Sequence, residues 1–429
     1  SRPARPPSPA PGPALAALTA LLVLGAWAWL GSAHGLPPAA QPLQQPEPPV
    51  TPAPAPLAMP WTGRGTSDLG PTLKLPATAI EVAQGLAYIG SGTMLQVVDV
   101  SDPRMPRLLG RSRAADRPGA HYYAQGIVVS GSTVYMISLN DDAEGGRVAD
   151  NSLLLEFDVS EPAAPRLKHA LGLQEAAFDL FLQDGWLIVG CLRFVPPDHR
   201  AQSGLLTIDT KRSPLQSDQF VPGEVWPVAA TRMDSQRIVV ASSLQEQAES
   251  RASLEIWDVG QPAKPVRLRS WVGSADHPTG LRSVAVLNDR IYAVSNDWRT
   301  EASHLIVMEA GRDSPTDRVM GLQIARNDWP CAGNYIVNTK SVVVILGTCG
   351  LFTLTPVESL VSGGTLIIKP LGSLHLQTSP IGEGIVFRSP VAVAGDLLFI
   401  LGGNEPAIDT LRIVDVSAPE APVVIGGLR

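Results

Sequence analysis

The sequence predicts an all-β fold, a seven-bladed β-propeller of four-stranded antiparallel blades. Three observations carry that reading. One phrase recurs with a period near 50 residues, two apolar runs split by turn residues precede each copy, and Gly (39) and Pro (40) are abundant while charge (17%) and aromatic residues (5%) are sparse. Many short strands joined by tight turns suit that composition, and a period in this range is the mark of a repeat architecture.

The phrase is clearest as LQVVDVSDPRMPRLLG from Leu95, LLEFDVSEPAAPRLKH from Leu154, LEIWDVGQPAKPVRLR from Leu254 and LRIVDVSAPEAPVVIG from Leu411. Reduced to a Leu followed four residues later by an acidic anchor and a Pro-bearing turn, it also fits LLTIDTKRSP and LIVMEAGRDSP. LFTLTPVES is a degraded seventh copy. The anchors are Asp99, Asp158, Asp209, Asp258, Glu309, Thr355 and Asp415, separated by 59, 51, 49, 51, 46 and 60 residues. Each anchor sits at the end of a third strand, where its carboxylate can cap amides of the turn that Pro pre-sets. Six equivalent acids are structural, since a catalytic site needs one constellation.

Ahead of the anchors, AIEVAQGLAYIG, GIVVSGSTVYMIS, FDLFLQDGWLIVG, SVAVLNDRIYAVS and VAVAGDLLFIL read as hairpins turning at Gly85, Gly131, Gly185, Asn288 and Gly395. The run after each Pro supplies a fourth strand. Four-stranded units that hide both faces against their neighbours explain the unbroken apolar character of VVDV and VVVIL. Two segments can supply the last fourth strand, VVIGGLR at the C-terminus and PTLKLPA before the first blade, so ring closure stays open at this stage.

The phrase LxVxDVSxPxxP resembles the LVIVD-repeat family of bacterial surface and secreted β-propellers, over about Ala77 to Arg429. The resemblance implies the architecture and no shared activity, catalytic residues or cofactor. The paired Gly-His and Trp-Asp of WD40 repeats, the Gly doublets of kelch repeats and a periodic quinoprotein Trp motif do not recur.

The chain divides into an N-terminal segment (1–35), a Pro-rich linker (36–70) and the propeller (71–429). Arg2 and Arg5, the apolar run 14–30 and the small residues Gly31, Ser32 and Ala33 form either a cleaved signal peptide or a retained membrane anchor. Both place the propeller outside the cytoplasm, as a monomer, on an extended spacer. A net charge of −7 disfavours nucleic acid.

From the first turn to the anchor, the spans are 14, 27, 24, 24, 21, 17 and 20 residues in blades 1 to 7. The surplus in blades 2 to 5 reads as long b–c loops beginning at Asn140, Arg193, Ser243 and Asn296. Together with the d–a connections on the same face they collect His121, Tyr122, Tyr123, Glu224, Trp226, His277, Trp298 and Trp329, a face suited to a protein or a glycan. The alternative is a secreted hydrolase or lyase acting on glycans with channel-mouth carboxylates such as Glu175, Glu224, Asp276 and Glu383. No motif for enzymatic catalysis is present. No metal site is expected, because His121 and His277 fall short of a ligand set and Asp141, Asp142, Glu144 and Asp150 lack EF-hand spacing. A fold-back near Lys340 sets Cys331 opposite Cys349, a pair expected as a disulfide, and Cys191 is expected buried and unpaired.

Overall fold

The structure, a computed structural model, describes residues 77–114, 122–140, 152–173, 175–195, 200–213, 215–223, 226–246, 249–272, 281–297, 302–309, 320–323, 333–347, 350–354, 371–375, 390–402 and 411–428. All of them belong to one compact unit, Gly65–Arg429. The leader and linker expected before residue 71, and the first six residues of PTLKLPA, lie outside the described residues.

Seven four-stranded sheets follow one another in chain order, each paired a-b-c-d without a crossover. Blade 1 is β1 (Ala79–Ala83), β2 (Leu86–Ser91), β3 (Met94–Asp99) and β4 (Arg107–Arg113). Blade 2 is β5 (Tyr122–Ser130), β6 (Thr133–Asn140), β7 (Ser152–Asp158) and β8 (Arg166–Leu173). Blade 3 is β9 (Ala176–Gln183), β10 (Trp186–Val195), β11 (Arg200–Asp209) and β12 (Ser217–Pro222). Blade 4 is β13 (Trp226–Arg232), β14 (Arg237–Glu246), β15 (Glu249–Asp258) and β16 (Val266–Val272). Blade 5 is β17 (Leu281–Leu287), β18 (Arg290–Asp297), β19 (Ala302–Glu309) and β20 (Met320–Gln323). Blade 6 is β21 (Gly333–Asn338), β22 (Val343–Gly347), β23 (Gly350–Leu354) and β24 (Gly372–His375). Blade 7 is β25 (Val391–Ala394), β26 (Leu397–Leu401), β27 (Leu411–Asp415) and β28 (Val423–Leu428).

Turn chemistry sets the hairpins. Gln84-Gly85, Asp184-Gly185 and Asn288-Asp289 hold positive φ at both central residues or at the pair that makes the turn, from 50° to 81°. That is the type I′ geometry whose twist matches the flanking strands. Gly131 and Gly395 alone are positive in their turns, as a type II′ turn requires.

The Leu four residues before each anchor is the core of the repeat. Leu95, Leu154, Leu205, Leu254, Leu305, Leu351 and Leu411 are all buried. Around them, seven apolar clusters each join consecutive blades. Leu95, Met136 and Leu155 join blades 1 and 2, Ile137, Leu187 and Leu206 join 2 and 3, and Ile188, Val240 and Trp257 join 3 and 4. Leu254, Ile291 and Ile306 follow, then Tyr292, Val307 and Phe352, then Leu346, Leu398 and Val414. The seventh, with Ile89, Val98, Phe399 and Ile413, joins blade 7 to blade 1. Burial of each large apolar side chain contributes about 1.5–3 kcal/mol, so cohesion is spread around the ring.

Blade 7 takes its fourth strand from VVIGGL, so the C-terminal run resolves the closure left open by the sequence. The seam is tight. A Cβ on Gly426 of β28 would lie 1.9 Å from the Pro103 carbonyl oxygen of blade 1. Gly110 meets the Ala163 carbonyl of blade 2 at 2.5 Å in the same sense, and Gly372 meets the Pro419 carbonyl of blade 7 at 2.3 Å. Glycine in the outer strand thus lets the Pro-bearing turn of the next blade dock against the backbone. Close by, the Thr353 hydroxyl donates to the Pro419 carbonyl at 2.5 Å.

Candidate functional site

On the lower face, which carries the a–b and c–d turns, the anchors act on backbone. Asp99 Oδ1 accepts from the Ser101 amide at 2.9 Å and from its hydroxyl at 2.6 Å. Asp158, Asp209, Asp258 and Asp415 accept from the amides of Ser160, Lys211, Gly260 and Ser417 at 2.8–2.9 Å. The Ser101 hydroxyl and amide hold the Asp99 carboxyl below its ordinary range, and Ser160 and Ser417 do the same for Asp158 and Asp415. These are Asx turns, and nothing in them is free for chemistry. Glu309 ends β19, and Thr355 lies outside the described residues.

The upper face is uneven because the b–c hairpins differ in height. In blade 1 the six-residue strands β2 and β3 meet at Gly92 and Thr93. In blades 3 and 4, β10, β11, β14 and β15 are ten residues each. Pairing continues to Val195↔Arg200 and Glu246↔Glu249. Those hairpins rise four residues, about 13 Å at 3.3 Å per residue, beyond the blade 1 level. The surplus read from the sequence as loop is therefore largely strand in these two blades. RFV and RAQS, like SLQE and ESRAS, place residues on alternate faces of a ribbon, and pairing satisfies backbone groups that a loop would leave to solvent.

At the foot of the blade 3 ribbon, Arg193 donates to the buried Glu175 carboxylate from Nε at 2.9 Å and from Nη2 at 2.5 Å. Its guanidinium also stacks 4.1 Å from the centre of the Phe220 ring. Glu175 is thereby committed to holding strand b, a correction to its candidacy as a catalytic acid. Tyr122 is buried, and its hydroxyl makes no hydrogen bond among the described residues. Its ring packs in blade 2 and is not offered on the face. Tyr123 is half-buried beside it and Trp226 heads β13. His121, Glu224, His277, Trp298, Trp329, Asp276, Glu383, Cys331, Cys349 and the acids Asp141, Asp142, Glu144 and Asp150 lie outside the described residues. Cys191 is buried with a free thiol, and burial pushes its pKa far up. Among the described residues no cluster of His, Cys, Asp and Glu is arranged to hold a metal.

The innermost strands β1, β5, β9, β13, β17, β21 and β25 line a central channel of about 470 Å³. Its walls are mostly aliphatic, yet Glu81, Asp179, Arg232 and Arg282 line it too. Asp179 braces two blades, accepting from the Leu180 amide and the blade 4 Ala230 amide, both at 2.8 Å. Burial raises its carboxyl to about 6 against those two bonds. Arg232 donates to the Leu182 carbonyl at 2.7 Å. Burial alone raises Glu81 to about 7. These four groups are not among the candidates that the sequence offered. Their signal was a charge inside an innermost strand, as in AIEVA, FDLFL and LRSVAV.

The LVIVD repeat profile matches residues 76–113 and 389–428, which are blades 1 and 7. No curated protein matches the sequence. Among solved structures, a hypothetical selenium-binding protein from Sulfolobus tokodaii is similar at 10% identity and a TM-score of 0.53, over 83% of this chain and 93% of that one. Kluyveromyces lactis Hsv2 matches at 12% identity and a TM-score of 0.49 over 81% and 97%. A functionally unknown protein from Desulfotomaculum acetoxidans matches at 11% and 0.48 over 82% and 100%. At such identities the likeness is one of fold.

Proposed function

We propose that this LVIVD-repeat β-propeller is an extracytoplasmic interaction module, which holds a protein or glycan partner on its upper face and performs no chemistry there. The observation that carries the reading is the pair of ten-residue hairpins of blades 3 and 4, standing above the short blade 1 hairpin beside the channel mouth. The two tall hairpins and the short one give the upper face a step in height, and ribbons whose backbone is already paired bind without a large ordering cost. The ribbon segments SLQE and ESRAS supply Ser, Gln, Glu and Arg, groups that hydrogen-bond amides and sugar hydroxyls alike. The Glu175–Arg193–Phe220 assembly fixes the base of the blade 3 ribbon. The apolar run at residues 14–30 and the Pro-rich spacer support export and display.

The test is binding of the whole chain to a bacterial cell-envelope preparation. It is compared with a variant in which residues 194–201 and 244–251 are each replaced by Asn-Gly, which shortens both hairpins and keeps Arg193 on Glu175 and the buried Leu192 and Ala252 in place. Binding should fall at least about tenfold, equivalent to about 1.4 kcal/mol, with unchanged thermal stability of the ring. Protease treatment and glycosidase treatment of the envelope then separate a protein partner from a glycan. Equal binding by the trimmed variant overturns the proposal.

A further inference from the structure

The central channel contains two charges that the protein itself does not use. Arg282 and Glu81 both line it, both are half-buried, and neither makes a hydrogen bond or ion pair among the described residues. The other two charged groups are committed, Asp179 to the Leu180 and Ala230 amides and Arg232 to the Leu182 carbonyl.

Register places the unused pair. Glu81 pairs through Tyr88 to Val97, two residues before the blade 1 anchor. Arg282 is the extra residue of a bulge between Leu281↔Ser295 and Ser283↔Val294, and Val294 and Ser295 pair with Leu305 and His304, four and five residues before Glu309. The guanidinium therefore springs from a level two to three residues higher, about 8 Å along the channel. Blades 1 and 5 are three apart around a ring of seven, so the two groups stand on nearly opposite walls. A bulge commonly re-aims a side chain beside a functional site. Between the two levels the wall is aliphatic, with Ile80, Ile127, Val284, Ile336 and Val391 among its lining. A cavity of about 470 Å³ is in the range that holds small ligands.

We propose that the channel is a binding site for a small elongated zwitterion, its carboxylate held by Arg282, its ammonium by Glu81, and its aliphatic body by the walls between them. An Arg fork matches a carboxylate in two parallel hydrogen bonds. An unpaired carboxyl in a confined channel gains more from an ammonium than it does in water. Burial raises Glu81 to about 7, and an ammonium brought beside it would favour its charged form.

The whole chain is titrated calorimetrically with ε-aminocaproate, caproate, hexylamine and hexanediol. Saturable binding should follow the order ε-aminocaproate, then the two one-ended probes, then the diol. Arg282→Gln should weaken ε-aminocaproate and caproate by about tenfold or more and leave hexylamine unchanged, while Arg282→Lys retains part of the affinity. Glu81→Gln should do the reverse, removing the advantage of ammonium alone. In the wild type, hexylamine should bind better at pH 8 than at pH 6, because Glu81 gains its charge as pH rises through about 7; Asp179, raised to about 6, begins to lose its own charge toward pH 6, so the part due to Glu81 is the part that Glu81→Gln removes. Absence of saturable ε-aminocaproate binding, or binding that ignores both substitutions, overturns the proposal. Because the substitutions lie below the trimmed hairpins, this result and the envelope result are independent.

Discussion

Gly426→Ala tests how the ring closes. The added methyl would stand 1.9 Å from the Pro103 carbonyl oxygen, with the Pro103 carbonyl carbon at 3.0 Å and Arg104 Cα at 3.2 Å. An ordinary carbon–oxygen contact is about 3.3 Å, so roughly 1.4 Å must be found by moving backbone. The obstacle is a Pro-bearing turn that cannot rotate away as a side chain would. The Asp102 carboxylate holds that turn through the Arg104 amide at 3.0 Å, and Asp99 does so through Ser101. Overpacking of this kind costs about 1–3 kcal/mol, and the upper end is expected because both sides are backbone. Gly172→Ala is the control. It sits in the outer strand of blade 2 with nothing within 4 Å of the added methyl, so it should be neutral or gain a few tenths of a kcal/mol by restricting the unfolded chain. Equilibrium denaturation in guanidinium, read at constant m-value, measures both. A Gly426→Ala loss under about 0.5 kcal/mol, or an equal loss at Gly172, would show that the seam is not made by this contact.

Three further outcomes are expected. Non-reducing peptide mapping should find Cys331 linked to Cys349, since Gly333 pairs with Gly347 two residues inward of each in sequence, while Cys191 stays unreactive to a thiol reagent until the protein unfolds. Two free thiols in blade 6 refute the pairing. Arg193→Ala should destabilise the protein by roughly 2 kcal/mol by leaving Glu175 buried without its partner, with Arg193→Ala/Glu175→Ala recovering part of the loss. Replacing Asp99, Asp158 and Asp415 together by Asn should flatten the acid limb of stability. Their folded pKa values lie below the unfolded ones, so their contribution is present above about pH 4 and is lost as pH falls through the depressed values. Asn keeps the acceptor and removes the titration, and denaturation midpoints between pH 5 and 2 read the difference. An unchanged acid limb counts against it.

Much of the fold was legible because a propeller writes its packing into every blade. The Leu at each fourth position before an anchor is buried in all seven blades, including LFTLT, whose anchor is lost. The turns Gln84-Gly85 and Asn288-Asp289 adopt the positive φ values that their residue types announce. The upper face was less legible. Ribbon and loop share polar sequences, and only pairing partners distinguish SLQE/ESRAS as strand from an open loop. Tyr122 reads as a surface aromatic, yet it opens β5, pairs with Asn140 and is buried. Channel groups were hidden for a different reason. A charge inside an apolar run looks like a solvated position unless the strand is known to be innermost.

The bulges show where the repeat stops dictating the molecule. In blades 2 to 6 the innermost strand carries one extra residue just above the level of the buried Leu, namely Gln125, Phe178, Val228, Arg282 and Asn334. In blades 1 and 7, the two blades that the repeat profile matches, the described a–b pairing ends at or just below the level of the buried Leu. Below the bulge, packing against two neighbours constrains each position, so sequence and structure repeat together. Above it the strand is re-aimed, the hairpins lengthen in blades 3 and 4, and the residues differ from blade to blade. A site that needs one constellation cannot be built from seven equivalent positions. It has to lie at or above the level where equivalence ends, or at an exception within it. Arg282 is a bulge residue and Glu81 is an acid where the other innermost strands carry none at that level, so the two unused charges of the channel mark departures from the repeat on opposite walls.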